Sequence, residues 1–134
     1  MPTKTKLSFT VKTAVTLDEE MVKSLLCCAT EGGSNYWAII EGYNLAKGVK
    51  LSDFEYPHFE VPFRSGCSIE FSIDPHVDHD DGIYELDLAN MEGGLQVMAD
   101  KYPHHWKNVI NDNADAETGD VFLQCSLFGD IIFS

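Results

Sequence analysis

Basic residues are scarce in this chain: nine Lys and Arg stand against twenty-two Asp and Glu, for a formal net charge of −13 at pH 7. The shortage is local. Residues 51–134 hold three bases, Arg64, Lys101 and Lys107, against seventeen acids, whereas the first fifty residues hold six Lys and five acids. An anionic field of this kind repels nucleic acid and anionic membrane and favours basic partners, and it governs association and solubility without dictating fold. Long apolar runs are missing too. No window approaches the roughly 20 apolar residues that cross a bilayer. The opening MPTKTKLSFTVKTAV alternates polar and apolar residues where a signal peptide has an unbroken apolar stretch. The four cysteines, Cys27, Cys28, Cys67 and Cys125, contain no CxxC spacing that would start a zinc knuckle or a redox motif. They read as reduced thiols that pack as small hydrophobes.

Catalytic signatures are equally thin. Ser34 follows Gly32 and Gly33 but precedes a strand-like segment, so it opens no phosphate-binding helix, and neither it nor Ser65 stands in a G-x-S-x-G elbow. The expectation is a protein that is not an enzyme and carries no cofactor.

What is present is core-forming material: 44% apolar residues, with eight Phe, five Tyr and two Trp in 134 residues. That content excludes the disordered class, and the length fits a single domain, residues 1–134. Leu7, Phe9 and Val11 alternate with Lys6, Ser8, Thr10 and Lys12, the period-2 pattern of a strand. Thr16 with Glu19 has the form of a capping box, and Leu17, Met21, Leu25 and Cys28 recur at helical spacing, which predicts a helix over about 17–30 that ends at Gly32 and Gly33. Asn35 to Glu41 is rich in aromatic and β-branched residues and reads as a strand. Residues 42–65, broken by Gly42, Gly48, Pro57 and Pro62, read as a long connection with at most a short strand at 59–63.

Cys67 to Ile73 and Gly82 to Asp87 read as the two strands of a hairpin. Asp87 caps a helix carrying Leu88, Met91, Leu95 and Met98, weakened by Gly93 and Gly94 unless something packs closely there. Residues 102–113 read as a broken segment. Asp115 caps a last helix over 116–128, apolar most of the way round and therefore buried, stopped by Gly129 and followed by a short strand at 130–133. The order predicts an α+β fold with a mainly antiparallel sheet of about four to five strands and about three helices.

Two stretches, ATEGGSNYWA at 29–38 and NADAETGDVFLQCSLFGDIIF at 113–133, together resemble a family of small proteins encoded by bacteriophages, prophages and other mobile elements. Gly119 and Ser134 stand where that family's pattern has Ala and Gly. The resemblance implies a phage gene acting in a host cytoplasm; it brings no catalytic residue.

Candidate site residues fall in three places. The segment 74–82 sets His76, Asp78, His79, Asp80 and Asp81 within six positions, a donor set for Ca²⁺ through its carboxylates or Zn²⁺ through its imidazoles. An EF-hand counted from Asp74 fails at His79, where the sharp turn needs Gly, so the segment reads as a solvated acidic turn. His104 and His105 lie beside Trp106, but neighbours on a helix point apart, and they read as a structural element. Tyr36 and Trp37, neighbours on a strand, face opposite sides, so one is buried and the other is either covered by the 42–65 connection or available as a binding aromatic.

The expected function is that of an acidic protein that binds a basic host protein, of the kind that handles nucleic acid, and so inhibits a host defence system. Its contact residues are Asp74, Asp78, Asp80, Asp81, Glu85 and Asp87, with Tyr36 and Trp37; it touches neither nucleic acid nor membrane itself, and homo-oligomers are left open. The alternatives are a module for a small molecule or nucleotide signal, walled by the 42–65 connection and Gly93-Gly94, and a metal-dependent hydrolase at His76, Asp78, His79 and Asp80.

Overall fold

The computed structural model describes residues 7–10 and 14–134. Among them are five α-helices, α1 (Glu19–Cys28), α2 (Pro57–Glu60), α3 (Leu88–Lys101), α4 (Pro103–Ile110) and α5 (Ala116–Phe128), and three strands, β1 (Ala38–Asn44), β2 (Ser68–Ile73) and β3 (Tyr84–Leu86). The strands form one antiparallel sheet in the order β1-β2-β3. The α+β class and the antiparallel sheet stand as expected; the sheet has three strands rather than four or five.

Helix α5 is the centre. Thr118 to Ser126 are nine consecutive buried residues, because α1 and α3 pack on it from two sides and β3 meets it from a third. Two glycines make this close approach possible. A Cβ on Gly94 of α3 would stand 2.2 Å from the Ser126 hydroxyl oxygen, and one on Gly119 of α5 would stand 2.7 Å from the Cys28 Cβ. These are distances at which side chains overlap, so backbone touches backbone where the helices cross.

The sheet covers this helical layer with Ala38 and Ile40 of β1, Ile69, Phe71 and Ile73 of β2, and Tyr84 and Leu86 of β3. A bulge at Glu41 inserts one residue into β1, so that Ile40 pairs with Phe71 while Tyr43 pairs with Ile69. Without it, Tyr43 would turn to the other face, since strand parity is two. The opposite face carries Glu41, Asn44, Glu70, Ser72 and Glu85, with Ile39 exposed beside Ser72.

Helix starts follow their caps. Asp18, Asp87 and Asp115 accept from the backbone N–H of Met21, Asn90 and Thr118 at 2.9, 2.8 and 2.8 Å, and Gly129 ends α5 in the left-handed region at φ 76°. The cap of α1 is Asp18, not Thr16, because its carboxylate sits three residues before the N–H it satisfies.

Four further expectations change. Leu7–Thr10 form no strand and are exposed, and the rest of the expected first strand lies outside the described residues. Strand β1 continues into the expected connection as far as Asn44, and the short strand expected at 59–63 is absent; the rest folds as short helical turns at Leu51–Asp53, α2 and Val61–Phe63. Residues 103–110, read as broken, form α4, since Pro103 occupies the first helical turn, where a missing N–H costs nothing. The expected strand at 130–133 is absent: the N–H groups of Ile132 and Phe133 donate to Oε1 of Gln124 at 2.8 Å each, and Gln124 Nε2 donates to the Phe133 carbonyl at 3.0 Å. One side-chain amide thus satisfies the backbone groups that a neighbouring strand would have taken.

Candidate functional site

The turn after α1 and the buried helix α5 meet at Asp120. Its Oδ1 accepts from the Ser34 hydroxyl at 2.8 Å and the Trp37 indole at 2.7 Å; its Oδ2 accepts from the Tyr36 hydroxyl at 2.7 Å and from Gln124 Nε2 at 3.1 Å. Four donors converge on one carboxylate with no ion pair to it among the described residues, and hydrogen bonds of this kind offset the cost of burying it. Trp37 is fully buried, against Phe133 and Phe128 at ring separations of 5.3 and 5.4 Å. Tyr36, its neighbour, is 44% exposed. Burial of its hydroxyl, with the hydrogen bond to Asp120, pushes the phenol up to about 12. The expected strand over 35–41 begins only at Ala38, so Tyr36 and Trp37 lie in the turn before β1, and their polar tips converge on one carboxylate instead of facing opposite sides of a sheet. The Ser34 hydroxyl is bonded to this carboxylate, with no imidazole or amine among its hydrogen-bond partners in the described residues. It is a clamp.

The expected acidic site lies at the β2–β3 connection, residues 74–83. Asp74 Oδ1 accepts from the His76 backbone N–H at 2.9 Å and faces His76 Nδ1 at 3.0 Å, and these bonds hold its carboxyl below the ordinary range. Asp80 is lowered in the same way by the Tyr84 hydroxyl at 2.5 Å and the Gly82 N–H at 2.6 Å. These two acids shape the loop. The side chains of Asp78 and Asp81 make no hydrogen bond among the described residues and face solvent, while the Asp78 backbone N–H donates to the Asp74 carbonyl at 3.2 Å. Asp87 belongs to the start of α3 and Glu85 to the solvent face of the sheet, where it lies directly across from Glu70. A like-charge cross-strand pair is unfavourable by itself; Asn44 Nδ2 bridges it, at 2.8 Å from Glu70 and 2.7 Å from Glu85. The Asp74 N–H donates to the Trp37 carbonyl at 2.7 Å, tying the acidic loop to the Tyr36–Trp37 turn. Two places singled out separately in the sequence therefore adjoin.

Metal-ligating geometry is absent among the described residues: nowhere do three His, Cys, Asp or Glu converge as ligands would. His104 and His105 diverge, with rings 76° apart, and His105 Nδ1 instead lies 3.2 Å from the Thr118 hydroxyl. Ser126 fills the space beside Gly94, and the groove that Phe63 of the 42–65 connection shares with α3 is lined there by Met91, Glu92 and Leu95.

One constellation had no signal in the sequence. Cys27 Sγ donates to Glu31 Oε2 at 2.8 Å, and Glu31 Oε1 faces His58 Nε2 at 3.2 Å. The order is wrong for a nucleophile, since the carboxylate stands where the imidazole would have to be. Burial first, then the bond to Glu31 and its charge, push the Cys27 thiol up to about 11, away from the reactive thiolate. Only the helical spacing of Cys27 and Glu31, four apart, was visible beforehand.

No protein-family model, curated protein or solved structure matches the chain. No helix among the described residues is long and apolar enough to cross a membrane.

Proposed function

We propose that this chain is a small phage-type protein that acts in a host cytoplasm by binding a basic host protein, of the class that handles nucleic acid, and thereby inhibits a host defence system. The observation that supports this is the junction of Asp74 with Trp37, which ties the turn carrying the 44%-exposed Tyr36 to a loop whose Asp78 and Asp81 side chains make no hydrogen bond among the described residues. An aromatic ring beside uncompensated carboxylates is the surface chemistry that receives Lys and Arg side chains. The wider surface supports it. Among the described residues lysine pairs only with Glu19 and Glu20, through Lys23 at 3.3 and 3.7 Å, and with Asp130, through Lys101 at 3.3 Å. The remaining carboxylates keep their field.

The test is capture from host lysate by the wild type and by Asp78→Lys with Asp81→Lys, two positions whose change breaks no bond in the loop. A basic, nucleic-acid-binding protein retained at low salt, released at high salt and lost with the double variant supports the reading. Retention unchanged by the variant, or insensitive to salt, overturns it.

A further inference from the structure

The chain has one Asp–Gly step, Asp81–Gly82, and no Asn–Gly step. That pair of residue types carries a reaction of its own. The Gly82 amide nitrogen attacks Cγ of the protonated Asp81 carboxyl: a Cγ–N bond forms, the amide proton and the carboxyl hydroxyl leave as water, and a five-membered succinimide joins the two residues. Water then adds to either carbonyl of the ring. Opening at the Cγ–N bond restores aspartate, and opening between the nitrogen and the main-chain carbonyl leaves isoaspartate, whose backbone runs through Cβ and Cγ. One water leaves and one returns, so the change is an isomerisation with nothing oxidised or reduced. A side chain on the second residue would crowd the nitrogen, and glycine there also turns most freely.

Asp81 is exposed, its side chain makes no hydrogen bond among the described residues, and residues 78–83 belong to no helix or strand, so no bond holds its Cγ away from the nitrogen that follows. Asp87 and Asp115 differ: Leu88 and Ala116 follow them, and their carboxylates are engaged as helix caps. The restraint at Asp81 lies on the nitrogen. The Gly82 N–H donates to Asp80 Oδ1 at 2.6 Å, and the Tyr84 hydroxyl aims that carboxylate by donating to its Oδ2 at 2.5 Å. Attack would turn the nitrogen toward Asp81 Cγ and give up the bond to Asp80, since a hydrogen bond weakens steeply once misaligned. A Cβ at position 82 would stand 2.8 Å from Asp80 Oδ1 and 3.2 Å from the Tyr84 hydroxyl oxygen. The glycine that opens the reaction therefore also makes room for its restraint. We infer that Asp81–Gly82 is a site of spontaneous aspartate isomerisation, and that Asp80, positioned by Tyr84, restrains it. This goes beyond the reading above, since it concerns the covalent state of the loop and holds whatever the loop binds.

The test holds the folded chain for several weeks in mildly acidic buffer at body temperature, beside a synthetic peptide of residues 76–86. Peptide mapping with electron-transfer fragmentation, which separates isoaspartate from aspartate at equal mass, reads the fraction converted at each position. Isoaspartate should form at position 81 before any other, and more slowly in the folded chain than in the peptide. Asp80→Ala should speed it by roughly fivefold or more, the factor that one hydrogen bond of ordinary net strength confers. Tyr84→Phe keeps the ring against Phe128 and removes only the hydroxyl, so it should act in the same direction. It decides the matter if circular dichroism shows Asp80→Ala to be unfolded. Gly82→Ala added to Asp80→Ala should suppress the product again. Conversion at another position first, or none at position 81 in any of these proteins, overturns the site. A wild-type rate equal to that of folded Asp80→Ala, or to that of the peptide, overturns the restraint.

Discussion

The indole N–H of Trp37 donates to Oδ1 of Asp120 at 2.7 Å, across 83 positions of sequence. This bond and the three beside it join the turn after α1 to the helix at the centre of the fold.

Asp120→Asn should therefore destabilise the domain by about 2–3 kcal/mol, the usual scale for a buried hydrogen bond to a charged group left unmade. Each carboxylate oxygen receives two donors, so an amide NH₂ in either orientation faces two of them. Gln124 has no freedom to reverse, because its Oε1 already holds Ile132 and Phe133. Urea unfolding measures the loss; less than about 0.5 kcal/mol, the range of ordinary surface changes, would show that the clamp does not hold the fold.

The adjacent glycines of α3 should respond in opposite directions. A Cβ at Gly93 meets nothing within 4 Å, so Gly93→Ala should stabilise by up to about 1 kcal/mol through helix propensity. At Gly94 the same Cβ runs into Ser126, including its Cα at 2.7 Å, and Gly94→Ala should destabilise by about 1–3 kcal/mol. Thermal melts of the two variants decide it, and shifts of the same sign would contradict the packing described.

Tyr36 should make the domain sensitive to alkali. Its folded pKa, about 12, lies above the ordinary value of 10, so the folded state holds the phenol proton more tightly. The stability this contributes is fully present below pH 10 and is lost as pH rises toward 12. Tyr36→Phe should flatten the fall between those pH values, measured as chemical stability against pH for both proteins. Parallel curves would mean that Tyr36 is not the group involved.

Cys27 should be a slow thiol. With its pKa near 11 it is almost wholly protonated at pH 8, and Glu31→Gln, which removes the neighbouring charge, should speed its alkylation. Peptide mapping by mass spectrometry after timed iodoacetamide treatment reads the rate. Labelling of the wild type as fast as a free peptide thiol would disprove the Cys27–Glu31 contact.

Much of the fold was legible locally. The helix of residues 116–128, with Asp115 and Gly129 at its ends, and the pairing of residues 68–73 with 84–86 were marked by side chains within a few positions of the backbone they cap or alternate along. The helix at 103–110 was hidden because Pro103 reads as a breaker unless it is placed in the first turn. The terminal strand was misread because Ile131, Ile132 and Phe133 have β propensity, while the partner that takes up their backbone groups is a glutamine side chain on α5.

By itself the sequence determined the charge, the caps at Asp87 and Asp115 and the hairpin, since each depends on residue type and on spacing of a few positions, whereas the burial of Trp37 and the exposure of Tyr36 follow from a turn that places both side chains on Asp120. The tertiary structure alone decided which acids are spent on structure and which are left to a partner. Asp120 goes inside because donors from a segment more than eighty residues earlier reach it; Asp74 and Asp80 fold their own loop, and Asp78 and Asp81 are left to solvent. A carboxylate's role follows from the donors within about 3 Å of it, and except where they are its near neighbours in the chain, that distance is set by folding.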